Sequence, residues 1–188
     1  KSPAMPEIVA HRGASYDAPE NTLASVNLAW KRKAPSVEID VYLSRDKRVV
    51  VYHDKTTKRI GGRDREVKDQ TLEELRQLDV GSWKSPIYKG ERVPTLEEVF
   101  EELPPWFLIN IELKVRGLGT WALASRVAEV IRQHRRLETA LVASFNPFAL
   151  LAFRLREPRV ARGFIWTIKH PVPVRNRWLL PLAEPQWM

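Results

Sequence analysis

Cysteine is absent from the 188-residue chain, which excludes disulfide staples, thiolate metal sites and a cysteine nucleophile. No apolar run approaches the roughly 18 to 20 residues of a membrane-spanning helix, and the N-terminus lacks the charged-then-apolar pattern of a secretion signal. A soluble, cytoplasmic chain is the expectation. Internal repeats and low-complexity tracts are also missing. What is present is an ordinary globular balance, 44% hydrophobic and 29% charged residues, enough for one core and one domain over 1–188.

Lys and Arg outnumber Asp and Glu by 31 to 23. The excess is uneven: after Leu150 stand Arg154, Arg156, Arg159, Arg162, Lys169, Arg175 and Arg177 against only Glu157 and Glu184. Pro171, Pro173, Pro181 and Pro185, with Trp178 and Trp187, set the end of the chain apart in composition. This basic, Trp- and Leu-bearing tail suits an anionic membrane surface. A nucleic-acid partner is not expected, because no reading motif accompanies the charge. The Arg-rich run 132–136 reads as a solvated helix end, with His134 and His170 as surface residues.

The apolar pattern switches repeatedly between period 2 and period 3.6, the mark of alternating strands and helices. Strands are expected at Ile8–His11, Val37–Leu43, Val49–His53, Phe107–Leu113, Ala140–Ser144 and Val160–Thr167. Asn21 is expected to cap a helix through Lys31. Thr71 with Glu74 and Thr95 with Glu98 fit capping boxes, and Asn146–Pro147 opens a helix to about Arg156. A further helix is expected over Thr120–Arg136. Such alternation favours a parallel sheet, open and doubly wound or closed as a barrel.

Neighbouring strand residues point to opposite sides. Val37, Ile39, Val41 and Leu43 therefore form one face and Glu38, Asp40 and Tyr42 the other, while Asn110, Glu112 and Lys114 oppose Ile109, Ile111 and Leu113. His11 and His53 each end a β run. Any one of these pairs alone fits a solvated edge. Four strand ends carrying such groups suggest convergence, and three converging carboxylates need compensation, which a hard cation such as Mg²⁺ or Ca²⁺ supplies. Arg12 and Lys114 add positive charge suited to phosphate oxygens, and His11 and His53 suit general acid and base roles.

His11-Arg12-Gly13, Pro19-Glu20-Asn21-Thr22, Glu38-x-Asp40, His53-Asp54 and Asn110-Ile111-Glu112-Leu113-Lys114, in that order and spacing, resemble the signatures of the glycerophosphodiester phosphodiesterase family. Ser144-Phe145-Asn146-Pro147 and Pro94-Thr95-Leu96-Glu97-Glu98-Val99 resemble further elements of it. The resemblance implies a TIM (β/α)8 barrel with catalytic groups at the C-terminal strand ends. It implies Glu38, Asp40 and Glu112 as cation ligands, His11 and His53 as acid and base, and Arg12 and Lys114 on the phosphate. Segment 55–95 would be the inserted cap-like region. The expected substrate is a small glycerophosphodiester, cut to glycerol 3-phosphate and an alcohol.

A closed barrel takes about 250 residues, so the expectation here is an incomplete barrel of about five βα units. Its open sheet edge would invite homo-oligomer formation. Two other readings compete: an inactive or assembly-dependent module binding phosphodiesters or anionic membranes, and a sphingomyelinase D-like phospholipase.

Overall fold

The computed structural model describes residues 8–115, 120–168 and 185–186. Its sheet has strands β1 (Ala10–His11), β2 (Ser36–Leu43), β3 (Val49–Val51), β4 (Leu108–Leu113), β5 (Ala140–Ser144) and β6 (Ala161–Phe164). The order β1-β2-β4-β5-β6 is parallel throughout, and β3 turns back antiparallel on the end of β2. The helices are α1 (Leu23–Lys31), α2 (Lys58–Gly61), α3 (Leu72–Arg76), α4 (Leu96–Glu102), α5 (Thr120–Gln133) and α6 (Pro147–Arg156). The first and last strands are shorter than the apolar runs that predict them, whereas β5 and α6 keep the predicted bounds.

Strand parity sorts the core. Val37, Ile39 and Val41 of β2 join Ile109, Ile111 and Leu113 of β4 and Val142 of β5 in one apolar cluster. Val26 of α1, Val99 of α4, Val127 and Ile131 of α5 and Phe153 of α6 belong to the same cluster. On β3, Val49 and Val51 belong to this core, while Val50 and the following Tyr52 belong to a second one with Val67, Leu72, Leu75, Leu78, Val80 and Val93. The residues between β3 and α4 thus carry their own small core. Gaining full burial of a Val or Leu side chain is worth about 1.5–3 kcal/mol, so both clusters contribute substantially.

Helix starts follow local chemistry. Thr71 accepts from the Glu74 amide while Glu74 accepts from the Thr71 amide, and Thr95 with Glu98 repeats the arrangement. Asn146 caps α6 by accepting from the Phe148 amide, with Pro147 in the first turn. At α1 the expectation is corrected: the cap is Thr22, paired reciprocally with Ser25, and Asn21 stands outside the helix with φ +56°. A second correction concerns Arg136, which is buried rather than solvated. Its guanidinium donates to the carbonyls of Phe100, Leu103 and Pro104, satisfying groups that the end of α4 leaves without intrahelical partners. His134 is partly buried, its Nδ1 2.9 Å from the Val130 carbonyl and its ring beside Phe100.

His170, with the residues 169–184 and 187–188, lies outside the described residues, and so do Lys169, Arg175, Arg177, Trp178 and Trp187 of the basic tail. Gln186 is described, and it meets the outer side of β6 by donating to the Arg162 carbonyl and accepting from the Arg162 amide. Among the described residues no helix is long and apolar enough to cross a membrane.

Candidate active site

Glu38 and Asp40 lie on β2 and Glu112 on β4, and the parallel register sets Asp40 directly beside Glu112. All three are buried, and each offers a carboxylate oxygen within 4.8 Å of the others. Their parity is opposite to that of the apolar core positions, so the same alternation that builds the core gathers the acids.

Packing three carboxylates together in a buried place penalises ionisation. Burial, followed by the charge of Asp40, pushes the Glu38 carboxyl up to about 8, against an opposing hydrogen bond from the Arg12 amide. Burial also raises Glu112, although Lys114 pulls the other way. Lys114 Nζ sits 3.0 Å from Asp40 Oδ1 and 2.8 Å from Glu112 Oε1. Burial disfavours its charge, but the attraction of Asp40 and Glu112 prevails and the ammonium pKa is raised.

The donor set fits a divalent cation. It is made only of carboxylate oxygens, the chemistry hard cations prefer. Asp40 Oδ1 is enclosed and meets Lys114 as an ion pair without an aligned hydrogen bond, leaving coordinating capacity unused. Asp40 Oδ2 is held by the Asn21 side-chain amide at 2.8 Å, and Asn21 Oδ1 accepts from the Asp40 backbone amide at 3.1 Å. Asn21 therefore grips Asp40 at two points instead of capping α1. An isolated Asn before a Thr-x-x-Ser box gives no sequence signal for this; the neighbouring Thr22–Ser25 pair does reveal that the cap lies one residue later.

The loop after β1 brings the cationic partner. Arg12 and Gly13 both adopt positive φ, +55° and +80°. A Cβ on Gly13 would stand 2.3 Å from Ser25 Oγ and 2.7 Å from the Ser25 backbone carbon, so the turn needs glycine. The turn places the Arg12 amide 3.0 Å from Glu38 Oε2 and its Nε 3.4 Å from Asp40 Oδ2. The His11 ring is 66% exposed, with Nε2 3.8 Å from Glu38 Oε2. Burial, then the Arg12 charge, lowers the His11 pKa from 6.5.

His53 follows β3 and does not touch the carboxylate trio directly. Its Nδ1 lies 2.7 Å from Asp54 Oδ1, and its carbonyl accepts from the Tyr42 hydroxyl. With Glu112 and Lys114 it lines a cavity of about 630 Å³, walled on the apolar side by Leu43, Val115 and Phe145. Asp54 is in turn held by Arg59 of α2, whose Nη2 donates to Glu20 at 2.6 Å. Glu20 also accepts from Arg12. Glu20 and Asp54 stand in the signature motifs without an assigned role, and Arg59, within segment 55–95, carries no sequence signal of the two carboxylates it meets.

The geometry is thus a carboxylate trio flanked by Arg12, Lys114 and His11, with His53 at the wall of the adjoining cavity. The chain matches the Glycerophosphoryl diester phosphodiesterase family over residues 11–183. A glycerophosphodiester phosphodiesterase of Caldanaerobacter subterraneus subsp. tengcongensis is 36% identical over 160 residues, covering 85% of this chain and 66% of that protein. The YhdW protein of Bacillus subtilis is 39% identical over 158 residues, covering 84% of this chain and 65% of that protein. The chain spans less than two thirds of the length of these two curated relatives. A solved Oleispira antarctica phosphodiesterase, in complex with the product sn-glycerol-3-phosphate, superimposes with a TM-score of 0.87 at 38% identity, covering 96% of this chain and 73% of that one. The fold of such solved relatives is the TIM barrel, and the α/β sheet described here forms part of one. By its motifs, its fold and the extent of these matches, the chain belongs to the glycerophosphoryl diester phosphodiesterase family.

Proposed function

We propose that this chain hydrolyses glycerophosphodiesters to glycerol 3-phosphate and an alcohol, with a divalent cation, Mg²⁺ or Ca²⁺, held by Glu38, Asp40 and Glu112. The observation that carries the reading is the set of three buried carboxylates on adjacent strands, beside His11, Arg12 and Lys114. Family membership and the product bound to the Oleispira relative support the substrate class. The cation, when bound, supplies Lewis-acid stabilisation of the negative charge that develops on phosphorus-bound oxygens.

The residues of the chain do the remaining work. Arg12 and Lys114 neutralise phosphate oxygens and orient the diester. His11, whose pKa burial and the Arg12 charge lower from 6.5, takes the proton of the glycerol 2-hydroxyl as that oxygen attacks phosphorus. His53, oriented by Asp54, protonates the departing alcohol. Water then opens the resulting cyclic phosphate, giving glycerol 3-phosphate, with the histidines exchanging roles. Segment 55–95 forms a cap at the mouth of the site.

The test is release of glycerol 3-phosphate from glycerophosphocholine with added Mg²⁺ or Ca²⁺. Metal-dependent turnover that falls by at least 10²-fold in both His11→Ala and His53→Ala, in line with general acid–base contributions of about 10²–10⁴, is expected. Near-wild-type turnover in either variant would overturn the role given to that histidine. Cation-independent binding of anionic vesicles without any turnover would favour the membrane-binding module instead.

A further inference from the structure

We infer that Arg59 is a positioning residue that locks His53 and Arg12 into one arrangement, an inference that rests on the acid–base reading above. The residue lies on α2, in the segment between β3 and α4, away from every strand that carries the carboxylates. Its guanidinium is engaged on two sides. Nε donates to Asp54 Oδ2, while Nη2 and Nη1 donate to the two oxygens of Glu20 at 2.6 and 3.3 Å.

Each of these carboxylates uses another oxygen or a shared one on a site residue. Asp54 Oδ1 meets His53 Nδ1 at 2.7 Å, and Glu20 Oε1 accepts from Arg12 Nη1 at 3.2 Å. Arg12 continues the chain to Asp40 and Glu38. One uninterrupted relay of polar contacts therefore runs from the His53 ring to the carboxylate trio, and Arg59 is the only cation in it that contacts both Asp54 and Glu20 among the described residues.

The chemistry of the fork matters here. A guanidinium donates along fixed, planar directions and grips two carboxylates at set angles, which a single ammonium cannot do. The hydrogen bonds that Arg59 donates to Glu20 and Asp54 raise its pKa above the ordinary value, and at Asp54 burial, which raises the carboxyl pKa, is outweighed by the bonds with Arg59 and His53, so that it is lowered. An ionised Asp54 accepts from His53 Nδ1, which leaves Nε2 as the nitrogen that carries the proton given to the departing alcohol and, once neutral, takes one from water when the cyclic phosphate opens. An ordinary surface ion pair at this exposure is worth little stability. The value of Arg59 lies in orientation, where a misplacement of about 1 Å can cost 10²-fold in rate.

The experiment uses the full chain with Arg59→Ala, Arg59→Lys and, as a control for loss of an exposed ion pair, Arg45→Ala, which breaks the contact with Glu74. Folding is verified by circular dichroism. In the metal-free protein, long-range ¹H–¹⁵N spectra of the imidazoles report the His53 tautomer. A single Nδ1–H form is expected in wild type and Arg45→Ala, and a mixture of tautomers in Arg59→Ala. With glycerophosphocholine and Mg²⁺ or Ca²⁺, kcat is expected to fall at least tenfold in Arg59→Ala and Arg59→Lys with KM changed less than threefold, and Arg45→Ala to match wild type. An unchanged tautomer, or wild-type kcat in a folded Arg59 variant, overturns the inference. Should the wild type prove inactive, the activity reading fails, while the spectra still decide whether Arg59 orients His53.

Discussion

The Asn21 side chain holds Asp40 by both ends, donating to its carboxylate and accepting from its backbone amide. Both residues are almost fully buried, Asn21 at 3% and Asp40 at 1% exposure. Removing one partner from such a pair leaves the other desolvated without a hydrogen bond.

Asn21→Ala is therefore expected to cost about 1–3 kcal/mol of stability and to weaken divalent-cation binding at least tenfold. Urea denaturation and calorimetric titration with Mg²⁺ or Ca²⁺ check the two parts. Wild-type cation affinity in the variant would show that Asp40 keeps its geometry unaided.

Gly13 turns the chain so that the Arg12 amide reaches Glu38. Gly13→Ala combines a strained positive φ with a clash against Ser25 backbone, and a loss of about 2–4 kcal/mol is expected, at the severe end for single substitutions. The denaturation midpoint measures it. A change within 0.5 kcal/mol, about the noise of a neutral surface substitution, would mean that the α1 start yields easily.

The raised Glu38 pKa has a defined sign in pH. The folded carboxyl titrates at about 8 and the unfolded one near 4.5. Between those values the folded, cation-free protein binds the extra proton, so this contribution to stability is full below 4.5 and is lost as pH rises through 8. Glu112 is shifted in the same direction. A cation displaces the proton, and its affinity is expected to increase with pH up to about 8. Calorimetry at pH 7 in buffers of different ionisation enthalpy should detect proton release that Glu38→Gln diminishes. Equal release from both proteins would contradict the assignment to Glu38.

Arg136 is remote from the carboxylate trio and makes a separate case. Arg136→Met keeps an apolar stem but leaves the Phe100, Leu103 and Pro104 carbonyls without their donor, and removes the guanidinium over the Phe100 ring at 5.3 Å. A loss of about 3 kcal/mol is expected, with cation affinity unchanged. Thermal unfolding with and without cation separates the two effects.

Much of the fold and of the trio was legible in the sequence because strand parity and capping are local. Glu38 and Asp40 two residues apart, and Glu112 among Ile109, Ile111 and Leu113, must oppose the apolar face on any buried strand. Thr71–Glu74, Thr95–Glu98 and Asn146–Pro147 open helices through contacts within one turn. The same reasoning failed at Asn21 and Arg136. An Asn ahead of an apolar helical period looks like a cap although the Thr22–Ser25 box marks the next residue, and neither its hold on Asp40 nor the buried contacts of an arginine in a basic run are visible until a distant element supplies the partner.

By itself, then, the sequence determined which residues share a strand face, where helices begin and which acids, bases and histidines stand at strand ends. Only the tertiary structure decided that Asp40 registers against Glu112, that Asn21 reaches Asp40 across 19 positions, and that Arg59 reaches Glu20 across 39. The physical reason is one of range. Parity and capping follow from backbone geometry within a few residues, whereas pairing across such separations depends on the positive-φ turn at Arg12–Gly13 and on which elements pack together.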